Sequence, residues 1–217
     1  MNLSHSYSAL KLYDNCPLRY WHQRIAKTVT DPGSEASLYG ERIHKSIELY
    51  LRDDVELPDE LSKLKPTLLV LRQAAYTKLV AEEEVTLTRD FKLTGWWDDD
   101  AWFRAKLDVL LIANNNALII DWKTGKRRPD FAQLELFALV TLLKYPEVDV
   151  VNTAFVWTRD MACDAETFSR AQQQDLLNSL LAKTARVEQS AATNNWPAKP
   201  GPLCRYCPAR SRCEYAQ

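Results

Sequence analysis

Two apolar segments that flank three consecutive asparagines constrain the fold of this chain most strongly. The segments cover residues 102–113 and 117–122, and Asn114, Asn115 and Asn116 stand between them. Both segments have the length and composition of strands, and asparagine tolerates the positive φ that a tight turn needs. The pattern predicts an antiparallel β-hairpin, whose apolar side chains must be covered by other parts of the chain.

This hairpin would bring two carboxylates together. If Asn114-Asn115 forms a two-residue turn, Asp108 lies directly across from Asp121, and Lys123 shares their face because strand side chains alternate. Such a pair of like charges is destabilising unless something neutralises it, and carboxylate oxygens suit Mg²⁺ or Mn²⁺. A three-residue turn would instead move Asp108 to the opposite face.

A plainer alternative is that Asp121 and Lys123 form an ordinary exposed ion pair at a strand end. The position of Asp108 weighs against it, because this aspartate interrupts the apolar run 107–112. A charge in a buried run needs a partner.

The remaining periodicity predicts a mixed α/β domain with helical flanks. We expect one domain over residues 1–217, with a helical N-terminal region at 1–80 that contains Cys16 and His44, an α/β core at 81–190 and a cysteine-rich tail at 191–217. Helical patterns cover 6–15, 35–52, a segment from Pro66 to Leu79, 131–143 and 165–187, and strand patterns cover 85–88 and 148–158.

Composition excludes several classes of protein. Hydrophobic residues make up 46% and charged residues 26% of the chain, so it is not disordered by composition, and no apolar stretch approaches the ~20 residues that span a bilayer. The N-terminal residues lack the layout of a signal peptide, which predicts a cytoplasmic protein. The net charge of -1 gives no overall basic signature for nucleic acid, although basic residues cluster at 123–128 and in the tail.

The five cysteines indicate metal or redox chemistry before disulfides in a cytoplasmic chain. Cys204, Cys207 and Cys213 have the spacing of metal ligands, and no histidine lies in the tail. A four-ligand site therefore needs a distant fourth residue, for which Cys16 and Cys163 are the candidates. Both a structural zinc ion and an iron–sulfur cluster suit thiolate ligands.

Four segments resemble motifs of the PD-(D/E)XK nucleases in their RecB-like form, and they follow one another along this chain in the same order as in that family. Asp108 followed by Asp121-Trp-Lys123-Thr-Gly-Lys126 is similar to the family signature, and Gly40-Glu-Arg-Ile-His44 resembles its upstream histidine motif. Gln133-Leu-Glu-Leu-Phe137 stands where the family has a Gln-x-x-x-Tyr helix, and Ser8–Tyr20 resembles the N-terminal segment of its iron–sulfur members. The resemblance implies a restriction-endonuclease-like core, that is, a mixed central sheet flanked by helices.

The resemblance also implies the site. Asp108, Asp121 and His44 would hold Mg²⁺ or Mn²⁺, Lys123 would orient or deprotonate the attacking water, and Gln133 would position substrate or solvent. The implied activity is that of a metal-dependent deoxyribonuclease, an exonuclease acting on single-stranded DNA or DNA ends. Two departures from the family pattern are Ala105, where a glycine is common, and Phe137, which lacks the usual tyrosine hydroxyl. A DNA-end-binding or adaptor module with little cleavage and a restriction-type endonuclease remain alternatives.

The iron–sulfur resemblance further implies that one [4Fe-4S] cluster joins the N-terminal segment to the tail, with structural Zn²⁺ as the alternative. Its ligands would be Cys16, Cys204, Cys207 and Cys213, and Cys163 would be unligated. The small size is similar to that of stand-alone CRISPR-associated Cas-four nucleases and their phage-encoded relatives, which implies a helicase, CRISPR or recombination protein as partner. The basic residues expected to contact DNA are Lys126, Arg127, Arg128, Arg19 and Arg205.

Overall fold

Five strands form one mixed sheet whose spatial order follows the chain. The computed structural model describes residues 3–215. The strands are β1 (Lys78–Leu87), β2 (Phe103–Ala113), β3 (Asn116–Lys123), β4 (Val150–Trp157) and β5 (Cys163–Ser169). Neighbouring strands are antiparallel except β3 and β4, which run parallel. Parallel strands need a crossover connection, and a helix between β3 and β4 provides it.

Serine side chains cap the beginnings of two helices. The Ser6 hydroxyl accepts a hydrogen bond from the Ala9 N–H, and Ser34 and Ser37 form a reciprocal cap at the start of the third helix. The helices are α1 (Tyr7–Asn15), α2 (Pro17–Tyr20), α3 (Glu35–Asp53), α4 (Lys65–Gln73), α5 (Phe131–Lys144) and α6 (Gln173–Thr193), with a π-helical turn at Trp21–Ile25 and short 3-10 turns at Asp59–Leu64, Arg170–Gln172, Pro202–Tyr206 and Arg210–Arg212.

Helices α3 and α4 cover one face of the sheet. Ile43 and Ile47 of α3 share a buried cluster with alternate residues of the central strands, among them Val109, Ile120 and Trp122. The residues of β2 and β3 that alternate with these point to the opposite face of the sheet. On that face Gln133 of α5 contacts Asp121. Both faces are therefore covered, and the predicted α/β class with a mixed sheet and flanking helices is confirmed.

Two of the predicted helices are wrong in part. The helix expected from Pro66 to Leu79 ends at Gln73, and Leu79 instead pairs with Leu111 in the sheet. The helix expected over 165–187 begins at Gln173, because Cys163–Ser169 forms the edge strand β5 against β4. The charged residues of β5 hide its strand character, and pairing with the sheet overrides its local preference.

The described chain divides into two compact units. One contains the residues up to Gly33 together with those from Asn178 onward, and the other is Ser34–Leu177, which carries the whole sheet. Cys16 and the cysteine-rich tail belong to the first unit, whereas His44 and the predicted catalytic residues belong to the second. None of the described helices is long and apolar enough to cross a membrane.

Candidate active site

The β2–β3 hairpin has the register that a two-residue turn predicts. Ala113 pairs with Asn116, the ladder continues to Val109 opposite Ile120, and Asn114 has a left-handed φ of 54°. The next rung would join Asp108 and Asp121, but the regular ladder stops there. Instead the Trp122 N–H donates to Asp108 Oδ2 at 2.8 Å, so the Asp108 side chain replaces a backbone acceptor at the point where the strands separate.

His44 of α3 completes the surroundings of Asp108. Its Nδ1 lies 3.2 Å from Asp108 Oδ2 and its Nε2 lies 2.8 Å from the Trp122 carbonyl oxygen, so both ring nitrogens face acceptors. Burial lowers the pKa of His44, but the hydrogen bond and negative charge of Asp108 outweigh it and raise the pKa to about 9. At neutral pH the imidazolium therefore neutralises Asp108.

Gly40 explains how α3 comes close enough to deliver His44. The two residues lie one helical turn apart and therefore on one face of α3. A Cβ atom at position 40 would lie 3.2 Å from the Thr124 hydroxyl oxygen, which is tighter than ordinary packing. The absence of a side chain at Gly40 lets the helix approach the segment that follows β3.

Glu82 is a candidate metal ligand that the sequence interpretation missed. Ala81 and Glu83 pair with the residues on either side of Asp108, but Glu82 itself has a left-handed φ of 59° and interrupts the ladder. Possible ligand atoms of His44, Glu82 and Asp108 all lie within 4.8 Å of one another, and no other group of three such residues in the described part of the chain meets that distance. Lys106 Nζ lies 2.7 Å from the Glu82 carboxylate.

Asp121 lies in a different arrangement, a closed ring with Lys123 and Gln133. Gln133 Nε2 donates to Asp121 Oδ1 at 2.9 Å, and Lys123 Nζ donates to Gln133 Oε1 at 2.9 Å and lies 2.6 Å from Asp121 Oδ2. Burial of Asp121, which is 3% exposed, raises its pKa to about 7; the charge of Asp108 adds to this, and Lys123 opposes it. Lys123 Nζ also lies 4.8 Å from the centre of the Phe155 ring.

Phe137 is buried within α5. Gln133, one turn earlier in the helix, is the residue that reaches Asp121. Ala105, the other departure from the family pattern, is likewise buried in β2. Neither substitution puts a polar group into the site.

The four cysteines expected to bind a cluster line one cavity of about 400 Å³. The Lys199 N–H donates to Cys16 Sγ at 3.4 Å, and the Gly201 N–H donates to Cys204 Sγ at 3.3 Å. No three of their sulfurs lie within 4.8 Å of one another. Cys163 is exposed on β5 and does not line this cavity.

The basic residues expected to contact DNA have different surroundings. Lys126, Arg127 and Arg128 are exposed in the segment between β3 and α5, where Arg127 makes a bidentate ion pair with Asp164. Arg19 pairs with Asp31, and Arg205 lies over the ring of Tyr206. DNA contact by these five residues stays a prediction.

Comparison with known proteins establishes the family. A model of the PD-(D/E)XK nuclease superfamily matches residues 4–214, so this chain belongs to that superfamily. No curated protein sequence matches the chain significantly.

Two solved structures share the fold. SSO0001 is 14% identical with a TM-score of 0.51, and the match covers 100% of this chain and 88% of that protein. A protein of Eubacterium rectale, described as a candidate exonuclease, is 13% identical with a TM-score of 0.54, and the match covers 94% and 87% of the two chains. At these identities the likeness establishes the fold alone.

Proposed function

We propose that this protein is a divalent-metal-dependent deoxyribonuclease of the RecB-like type, acting as an exonuclease on single-stranded DNA or DNA ends. The observation that carries the proposal is the cluster of His44, Glu82 and Asp108 beside Asp121 and Lys123. The exonuclease description of the Eubacterium rectale structure agrees with this activity.

The residues at the site fit a hard divalent cation. Two carboxylates and an imidazole offer oxygen and nitrogen ligands, and the buried Asp121 lies close enough to Asp108 for their charges to interact. His44, Glu82, Asp108 and Asp121 would hold Mg²⁺ or Mn²⁺. The cation would supply positive charge against the negative charge that builds on the phosphoryl oxygens.

The side chains of the ring would act on the water and the phosphate. Lys123, 29% exposed, can turn its ammonium group from Gln133 and Asp121 to orient the attacking water and to stabilise the transition state. Gln133 accepts from Lys123 and donates to Asp121, so it holds these two side chains together until the ammonium group turns towards the water. His44 must lose its proton before Nδ1 can bind a cation.

End-labelled single-stranded and duplex DNA provide the test. We expect wild-type protein to remove the label only when Mg²⁺ or Mn²⁺ is present, and the position of the lost label gives the polarity. Asp108→Asn should abolish cleavage, which excludes a contaminating nuclease, and the exposed Glu84→Gln should cleave as wild type does. Retained DNA binding without digestion by wild type would contradict the proposal and favour the adaptor function.

We also propose that Cys16, Cys204, Cys207 and Cys213 bind a structural [4Fe-4S] cluster. All four line one cavity, and two of their sulfurs already accept backbone N–H hydrogen bonds of the kind that stabilise thiolates. A structural zinc ion held by the same four thiolates is the alternative.

Iron, zinc and acid-labile sulfide should be measured on protein purified without oxygen. We expect iron and sulfide in wild type, their loss in Cys204→Ala, and their full retention in Cys163→Ala, which removes a thiol outside the cavity. One equivalent of zinc without sulfide would contradict the cluster. So would unchanged iron in Cys204→Ala.

A further inference from the structure

A basic cleft lies where the two parallel strands end. It has a volume of about 360 Å³ and is formed by the segments that leave β3 and β4. Because β3 and β4 are parallel, their carboxyl ends meet at one edge of the sheet, which is where open α/β sheets bind ligands. The lining residues are Gly125, Lys126, Arg127, Trp157, Arg159 and Asp160.

The charge of this cleft is not balanced by its own residues. It contains three cations, Lys126, Arg127 and Arg159, and one anion, Asp160. Within residues 3–215, Lys126 and Arg159 have neither an ion-pair nor a hydrogen-bond partner, and both are exposed. Two unpaired cations in one concave site favour an anionic ligand.

Arg127, in contrast, is fixed to the wall of the cleft. Its guanidinium donates to both carboxylate oxygens of Asp164, at 2.9 and 2.6 Å, and the buried Trp157 indole donates to the same carboxylate at 2.7 Å. The hydrogen bond from Arg127 holds the pKa of Asp164 below its usual value, so the pair stays ionised. This arrangement gives the cleft one rigid side and leaves Lys126 and Arg159 free to close on a ligand.

The cleft is connected directly to the proposed catalytic lysine. Lys123 pairs in register with Trp157, and the Thr158 N–H donates to the Lys123 carbonyl oxygen at 2.9 Å. The lining of the cleft therefore begins at Gly125, two residues after Lys123, and at Trp157, which pairs with Lys123 in the sheet. A nucleic-acid strand with one phosphate at Lys123 can place another phosphate in the cleft.

We propose that this cleft is a phosphate subsite that holds a phosphate group of the nucleic-acid strand next to the cleaved bond. The ligand would be held by Lys126 and Arg159. The inference rests on the proposed nuclease function and deepens it, because it assigns a substrate-positioning site outside the metal ligands. The phosphate would be either an internal diester or a terminal monoester, which share this chemistry.

Salt-dependent binding of a fluorescent single-stranded oligonucleotide tests the subsite, with Ca²⁺ replacing Mg²⁺ to prevent cleavage. We expect Lys126→Ala/Arg159→Ala to weaken binding about tenfold and to reduce the slope of log K against log salt by about 0.7, the value for one phosphate contact on a single strand. Lys63→Ala/Lys92→Ala is the matched control, because it removes two exposed cations elsewhere in the same unit. It should bind within about twofold of wild type.

Two oligonucleotide series identify the phosphate. A preference of wild type for a phosphorylated end over a hydroxyl end, lost in Lys126→Ala/Arg159→Ala, would assign a terminal monoester. A single neutral methylphosphonate linkage that weakens wild type but not this variant would assign an internal diester. Either result supports the subsite.

Other outcomes overturn the inference. They are an unchanged salt slope in Lys126→Ala/Arg159→Ala, an equal loss in the control variant, or no oligonucleotide binding by wild type. If wild type cleaves DNA and Lys126→Ala/Arg159→Ala retains wild-type KM and slope, the subsite is wrong while the nuclease function stands. If wild type binds with the expected slope changes but never cleaves, the nuclease function is wrong instead.

Discussion

Asp108 and Asp121 occupy what would be one rung of the same hairpin, yet their surroundings differ. Asp108 accepts a backbone N–H and faces His44, and Glu82 lies nearby. Asp121 is deeply buried and has its oxygens against Lys123 and Gln133. The first carboxylate faces the imidazolium of His44, which can lose its proton, whereas the second faces the ammonium group of Lys123 and has a pKa raised to about 7. Metal binding should therefore release protons from His44 and Asp121 and move Lys123 away from Asp121.

The largest effect on cleavage is expected from removing the charge of Lys123, which pairs with Asp121. Lys123→Met keeps the length of the side chain and removes its charge, so cleavage should fall about a thousandfold, as when one transition-state donor is lost. Mn²⁺ binding should be retained, because Lys123 is not itself a ligand and only pairs with one of them, Asp121. Single-turnover cleavage and Mn²⁺ titration measure the two properties separately, and loss of Mn²⁺ binding in this variant would contradict the assigned role.

A smaller effect, on the metal requirement of cleavage, is expected from removing the charge of Glu82, which lies near Asp108. Glu82→Gln keeps the shape of the side chain but removes the charge, and we expect the Mn²⁺ concentration for half-maximal cleavage to rise about tenfold to a hundredfold. Glu84→Gln, at an exposed position two residues away, is the control. Equal Mn²⁺ requirements in the two variants would remove Glu82 from the ligand set.

The proton on His44 predicts a pH dependence of metal affinity. Its pKa of about 9 in the metal-free protein means that a cation must displace a proton below that pH. Affinity for Mn²⁺ should rise from pH 6.5 towards pH 9, by at most about tenfold per unit for each proton released, and Asp121, with a pKa of about 7, adds to the rise at its lower end. Calorimetry in two buffers of different ionisation enthalpy counts the released protons. His44→Gln should remove the part of the rise in Mn²⁺ affinity that comes from His44. A wild-type Mn²⁺ affinity that does not change with pH would contradict the proton on His44.

The smallest effect concerns stability rather than cleavage. The pKa of Asp121 is raised to about 7, so the folded metal-free protein binds more protons than the unfolded chain between pH 4 and pH 7. The contribution of Asp121 to the free energy of unfolding therefore falls as the pH rises through this window. Urea unfolding should show Asp121→Asn gaining on the order of 2 kcal/mol relative to wild type from pH 4 to pH 7. A constant difference would show that Asp121 ionises normally.

The parts of the site that the sequence predicts are those set by short-range geometry. The turn at Asn114 determines the register that brings Asp108 and Asp121 to one rung, and this register is confirmed. His44 and Gln133 come from distant segments, and only the resemblance to the nuclease family identified them. Their catalytic roles stay predictions.

Pairing between strands accounts for what the sequence did not predict. Glu82 stands opposite Asp108 only because β1 pairs with β2 in a particular register, and its acidic neighbours are typical of a solvated face. The edge strand β5 depends on pairing with β4, the strand directly before it, for its conformation. In both cases a partner strand decides the conformation, and the local sequence pattern does not reveal it.

The left-handed backbone at Glu82 lowers the stability of the protein at a position whose carboxylate the proposed activity needs. A residue with a Cβ in this conformation costs about 1 kcal/mol or more, whereas glycine adopts it without strain. Glu82→Gly would therefore relax the backbone while deleting the carboxylate beside His44 and Asp108. Selection for heat resistance alone would accept this change, and only selection for activity would keep the glutamate.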